Sequence, residues 1–242
     1  MRINAEAVLV KLRPLRFMEN YQLVFDRPIF DWTGVMQNFF DMIFRRVGAR
    51  IPVNVNEFST YTPGNLSQMN ARYNVYGGPS SVSLFPDRLT IDFPTLLPAD
   101  IPLVGELLKI VHDGFAAEFK QVSYSRVDIQ SGAHMEVLAP DSVKDLLGRY
   151  QIKSVEDTFR EAGAVTEAGI KFAAKSASPP WSYSLMVEQS LLNAAAVYAF
   201  SSTSLMDAKT VPTFEEKNRL AASIAGLALK SFGAEQVDAT AT

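Results

Sequence analysis

Cysteine is absent from the 242 residues, and histidine and tryptophan occur only twice each. The first absence excludes disulfides, thiolate catalysis and cysteine-ligated zinc, and it points toward a reducing cytoplasm. The second leaves His112 and His134 as the whole imidazole supply for metal binding or acid–base work. No Walker pattern or G-x-G-x-x-G occurs, and Gly77-Gly78 leads into no helix, so it lacks the dipole that holds a phosphate. A G-x-S-x-G nucleophile elbow is missing as well. The longest low-charge stretch, Ser190 to Met206, is too rich in Ala, Ser and Asn to span a bilayer. Met1 to Leu15 carries Arg2, Glu6, Lys11 and Arg13, which break up any signal-peptide core. The expectation is a soluble, cytoplasmic protein with no membrane contact.

Charge is balanced. Twenty-three Lys plus Arg stand against 26 Asp plus Glu, for a net −3. That argues against a nucleic-acid partner, which needs clustered cations to neutralise phosphates. The densest basic spot, Arg45-Arg46 with Arg50, falls at the end of a predicted helix, where cations complement the dipole.

What the chain does have is ample apolar material, 48% hydrophobic against 20% charged, enough for a core. Residues 21–26 and 53–61 read as strands flanking a helix from about Trp32 to Val47. Val35, Met36, Phe39, Phe40, Ile43, Phe44 and Val47 form the apolar arc of that helix. Strands follow at 71–76, 82–85 and 88–93, the last with Leu89, Ile91 and Phe93 on one side. A helix is expected over 100–120, then a hairpin of 121–130 and 133–138 turning at Ser131-Gly132. A short helical piece near 142–150 precedes strands at 164–174, 181–189 and 191–201. The last helix opens at Thr213 with Glu216 three residues on, a capping box. Leu220, Ala221, Ile224, Leu227, Ala228 and Phe232 make its buried face, and Gly233 stops it.

These elements predict an α+β fold of largely antiparallel sheet covered by long amphipathic helices. Three strands followed by a helix occur at 70–120 and again at 164–232, which suggests an internal duplication. With no Pro/Gly-rich linker at 149–163, residues 1–233 read as a single compact domain, and 234–242 as a frayed tail.

Candidate chemistry is thin. Asp128, His134 and Glu136 share the expected hairpin and are weak candidates for catalysis or metal binding. With a two-residue turn, Asp128 points away from His134. No metal and no cofactor are expected. Tyr61, Arg72, Tyr73 and Tyr76, set among Asn, Ser and Gly, are residue types that concentrate binding energy. The function expected is therefore a non-enzymatic binding or assembly module. It would act through this Tyr-bearing sheet surface on a protein partner or a second copy, as in a homodimer. The alternative is a small-ligand-binding protein, or an enzyme, with an aromatic-lined pocket that uses carboxylates rather than metal. A deep pocket with converging polar groups would favour the alternative.

Overall fold

The centre of the molecule is β1 (Val10–Phe25), a strand of 16 residues in a computed structural model that describes residues 9–150, 169–206 and 213–237. Its apolar set changes phase midway. Val10, Leu12 and Pro14 are buried in the first half, and Tyr21, Leu23 and Phe25 in the second. A bulge absorbs the odd step. Pro14 pairs with Met135 and Arg16 with His134 of β6 (Tyr124–Val137), so Leu15 has no opposite number. On the other edge, Phe17 pairs with Leu96 and Glu19 with Phe93 of β5 (Arg88–Leu96), a second irregularity beside the first.

From this axis the sheet extends both ways by antiparallel pairing. On one side β5 leads to β4 (Ser81–Leu84), β3 (Asn70–Asn74) and the edge strand β2 (Phe58–Tyr61). On the other, β6 leads to β9 (Ala196–Met206), β8 (Pro180–Gln189) and β7 (Ile170–Ala177). The start of the strand expected at 164–174 lies outside the described residues. A tenth strand, β10 (Ala234–Gln236), runs parallel to Val10–Leu12. The tail expected from residue 234 thus begins as sheet, while 238–242 lie outside the described residues.

Four α-helices occur among the described residues: α1 (Trp32–Arg46), α2 (Ile101–Glu118), α3 (Val143–Gly148) and α4 (Phe214–Ser231). Their buried side chains join the apolar residues of a single sheet face in two clusters, one around Tyr21 and Leu23, the other around Leu12 and Met135. Arg45 and Arg46, in the last turn of α1, reach Glu118 of α2 at 2.9 and 2.6 Å. Thr213 Oγ1 accepts the Glu216 N–H, and Glu216 Oε2 accepts the Thr213 N–H, closing the capping box of α4.

Three expectations need correction. The chain is not sheet covered by long amphipathic helices; its described residues form one large ten-stranded sheet, and the described helices leave one of its faces uncovered. The side chains explain this. Across the bare face one register row reads Arg72, Ser83, Thr90, Gln22, Asp128, Ser204, Ser182, Lys175. The next reads Asn74, Ser81, Asp92, Asn20, Gln130, Ser202, Ser184. Neither row offers apolar surface that would recruit a helix.

The expected hairpin is likewise one uninterrupted strand, β6, that runs straight through Ser131-Gly132. Gly132 is there for close approach, not for a turn: a Cβ on it would lie 2.6 Å from Met18 Sδ and 2.7 Å from Tyr198 Oη. Finally, the buried stripe of α4 is Phe214, Lys217, Ala221, Ile224 and Ala228, whereas Leu227 is 67% exposed. The rest of the expected face holds, with Ala221, Ile224 and Ala228 buried and Leu220 and Phe232 partly so, and Phe214 anchors the helix against Tyr21.

Candidate functional site

The bulge in β1 turns Glu19 onto the helix-covered face, between Phe17 and Tyr21. Across the strands its register row continues as Ser131, Ser201 and Leu185. The flanking rows are Phe17, Ala133, Ala199, Val187 and Tyr21, Ile129, Thr203, Tyr183. One short polar row thus sits in an otherwise mostly apolar floor.

Two helix stripes face this floor. Ile101, Val104, Gly105 and Leu108 come from α2, and Asn218, Ala221, Ala222, Ala225 and Leu229 from α4, each at helical spacing. Small residues recur on both sides of the gap, Gly105, Ala221, Ala222 and Ala225 on the helices and Ser131, Ala133, Ala199 and Ser201 on the sheet, and there helices and sheet do not close on each other. A cavity of about 340 Å3 remains. A Cβ built on Gly105 meets nothing within 4 Å, which marks that helix face as open space. The lining is aliphatic and small rather than aromatic.

Glu19 is the sole carboxylate in the lining formed by the described residues, which holds no Lys, Arg or His. Its Oε2 accepts a 2.6 Å hydrogen bond from Ser131 Oγ. Burial raises its pKa to about 7, and the Ser131 bond offsets part of that rise. Tyr183, 3% exposed, also lines the cavity. Burial pushes its phenol up to about 12, with Ser201 close enough to temper the rise. The two lack hydrogen-bond geometry, however, and Tyr183 Oη is buried without a partner among the described residues. In chemical terms the cavity offers an apolar enclosure and one carboxyl at its threshold of ionisation near neutral pH.

A second buried polar group adjoins the floor at Tyr21, whose Oη shares a 2.8 Å hydrogen bond with His112 Nδ1. Phe214 packs on both rings. Lys217, 2% exposed, has its pKa lowered to about 8 by burial, against the opposing pull of Asp113 and Glu216. None of these residues lines the cavity.

The residues singled out from sequence lie elsewhere. Asp128, His134 and Glu136 all stand on the bare face of β6, since the hairpin that would have separated Asp128 from His134 does not exist. They still do not form a site. Asp128 and His134 are six residues apart, about 20 Å along a strand. Asp128 is held by Arg126 at 2.8 Å and Glu136 by Arg13 at 2.6 Å. His134 shares a 2.9 Å hydrogen bond with Ser190 and packs on Tyr198, and its pKa is lowered by burial and then by Arg16. Among the described residues no group of three or more His, Asp or Glu is placed to hold a metal ion.

The tyrosine set is split in the same way. Tyr61 and Tyr76 are each 56% exposed, but Tyr73 is fully buried with its ring 5.3 Å from that of Phe58. Arg72 lies on the bare face with its Nε bonded to Asn74. No described helix is long and apolar enough to cross a membrane. Glu19 was not singled out from sequence, although the phase change of apolar residues along β1 places it on the buried set. No protein-family model matches the chain, and no curated protein matches it.

Proposed function

We propose that the chain binds a small, mostly apolar ligand in the cavity between α2, α4 and the sheet, with the ligand's polar end on Glu19. One observation carries the reading: a mostly aliphatic cavity of about 340 Å3 converges on a single half-buried carboxyl with one committed hydrogen bond. The volume falls in the range of small-molecule sites, which are largely apolar with a few placed polar groups. The test uses the fluorescent apolar probe N-phenyl-1-naphthylamine. Wild-type protein should enhance its emission saturably. Gly105→Leu, whose side chain enters the open space, should abolish the enhancement without loss of stability, because leucine is also the better helix former. Unchanged probe binding by Gly105→Leu would remove the cavity from consideration.

A second reading, interaction through the Tyr-bearing strands, keeps one supporting observation. The edge strand β2 leaves its outer backbone unpaired within the described sheet and exposes Tyr61. Tyr61→Glu should then abolish self-association measured by light scattering. A wild type that stays monomeric at high concentration refutes the homodimer.

A further inference from the structure

The cavity reading above is the basis for a narrower statement about its ligand. We infer that the ligand is an organic amine, its protonated nitrogen seated on Glu19 and its apolar body lying between α2 and α4.

The argument begins with charge. Glu19 is the single ionisable acid of the lining, and no cation of the described residues faces it. A ligand with a carboxylate or phosphate would place a second negative charge in the same apolar space without compensation, which is costly. A polyol would set many of its hydroxyls against the apolar stretch of the walls formed by Val104, Leu108, Ala221, Ala222, Ala225 and Leu185, leaving them unsatisfied. An alkyl or aryl amine matches both halves of the site.

Geometry agrees. Ser131 occupies Oε2 of Glu19, and no hydrogen bond from the described residues reaches Oε1. The hydroxyl oxygens of Ser131 and Ser201 stand in the same register row, so the floor presents a line of acceptors. An ammonium group carries only donors and can bond both Oε1 and these hydroxyl oxygens. Charge-assisted bonds of this kind are about twice as strong as neutral ones.

The surroundings of Glu19 make its proton the control. Strand β6 contributes Ser131, β9 contributes Ser201 and Thr203, and β8 contributes Tyr183. From α4 and β10 come the neutral amides of Asn218 and Gln236, and from β5 Leu96. The ionisable residues of α2 are engaged outside the lining, Glu106 with Arg50 and Lys109 with Asp113 and Glu215. Tyr21, His112 and Lys217 likewise lie beyond it. With its carboxyl raised to about 7, Glu19 is mostly protonated in the empty protein under mildly acid conditions. Binding an ammonium then requires release of that proton. Affinity for the amine should fall about tenfold for each pH unit well below 7 and level off above it.

Calorimetric titration with three matched probes tests this: 4-phenylbutylamine, 4-phenylbutan-1-ol and 4-phenylbutyrate. At pH 8 the amine should bind at least about tenfold tighter than the alcohol, with the carboxylate weakest. At pH 6 the preference for the amine should shrink, and buffers of different ionisation heat should show proton release on binding. Glu19→Gln should lose the amine preference and its pH dependence while still binding the alcohol. If the alcohol binds, Gly105→Leu abolishes it, and the amine gains nothing at any pH, the cavity stands and the amine inference is wrong. Tighter binding of the carboxylate refutes the inference equally. If none of the three binds, the cavity reading falls with it. Should Glu19→Gln fail to fold, the pH series on the wild-type chain decides alone.

Discussion

Ser131 Oγ stands 2.6 Å from Glu19 Oε2, directly opposite it in the pairing of β6 with β1. The contact exists only because a bulge near Leu15 shifts the phase of β1. Without that step Glu19 would point to the bare, polar face, beside Asp92 and Asp128. With it, the acid enters an apolar space and its ionisation opposes folding, so the carboxyl should leave a signature in the pH dependence of stability.

In the unfolded chain the Glu19 carboxyl has its ordinary value of 4.5; in the folded protein burial pushes it up to about 7. Between these values the native state holds a proton that the unfolded chain has released. Stability from this group is therefore full below pH 4.5 and is lost as pH rises through 7, by at most on the order of 3 kcal/mol. Glu19→Gln should melt like wild type near pH 4.5 and several degrees higher at pH 8. Parallel melting curves across that range would show that ionised Glu19 is tolerated without cost. An amine ligand would relieve the same cost, so saturating amine should narrow the gap at pH 8.

Gly132 tests the reading of β6 as one strand. An alanine there meets Met18 and Tyr198, and overpacking of this kind costs about 1–3 kcal/mol. Met18→Ala removes one of the two obstacles. In urea titrations Gly132→Ala should destabilise, and the double variant should recover much of the loss relative to Met18→Ala alone. A turn at Ser131-Gly132 would show no such coupling.

How far the sequence carried the fold is visible in these same residues. The capping box at Thr213, the long apolar helices and the alternation of β5 come from local rules, and each stands where those rules place it. Gly132 misled because a glycine demanded by a distant methionine and tyrosine looks like a turn glycine in one dimension. Tyr73 misled for a related reason: a tyrosine between Arg72 and Asn74 reads as surface, yet strand parity puts it in the core. Glu19 was legible in principle, since buried residues of β1 are even-numbered up to Pro14 and odd-numbered from Tyr21. The cavity itself was not. It arises where Gly105 of α2 and the pair Ala222 and Ala225 of α4, far apart in the chain, line one gap.

Helix α4 gives a sharp contrast between two nearby positions. Ile224 is 7% exposed and Leu227 is 67% exposed. Ile224→Asp should cost several kcal/mol, because an uncompensated charge enters the core. Leu227→Asp should change stability by no more than about 0.5 kcal/mol, as surface substitutions do. Chemical denaturation of both variants checks the placement of Leu227; equal losses would mean that Leu227 is buried, as expected from sequence.

Tyrosines 183 and 21 pair with each other through Thr203 and Ile129 in one register row, yet their hydroxyls have opposite circumstances. Tyr21 Oη is bonded to His112 at 2.8 Å, while Tyr183 Oη is buried without a partner among the described residues. Removing a bonded hydroxyl strands its partner and costs about 1–3 kcal/mol, whereas removing an unbonded one relieves a desolvation penalty. Tyr21→Phe should therefore destabilise, and Tyr183→Phe should leave stability unchanged or raise it by about 1 kcal/mol. Urea unfolding at pH 7 measures both. A clear loss on Tyr183→Phe would show that the hydroxyl is satisfied in solution by water or ligand inside the cavity. Repeating the measurement on protein stripped of small molecules by refolding would tell those two apart, since only a retained ligand is lost in that step.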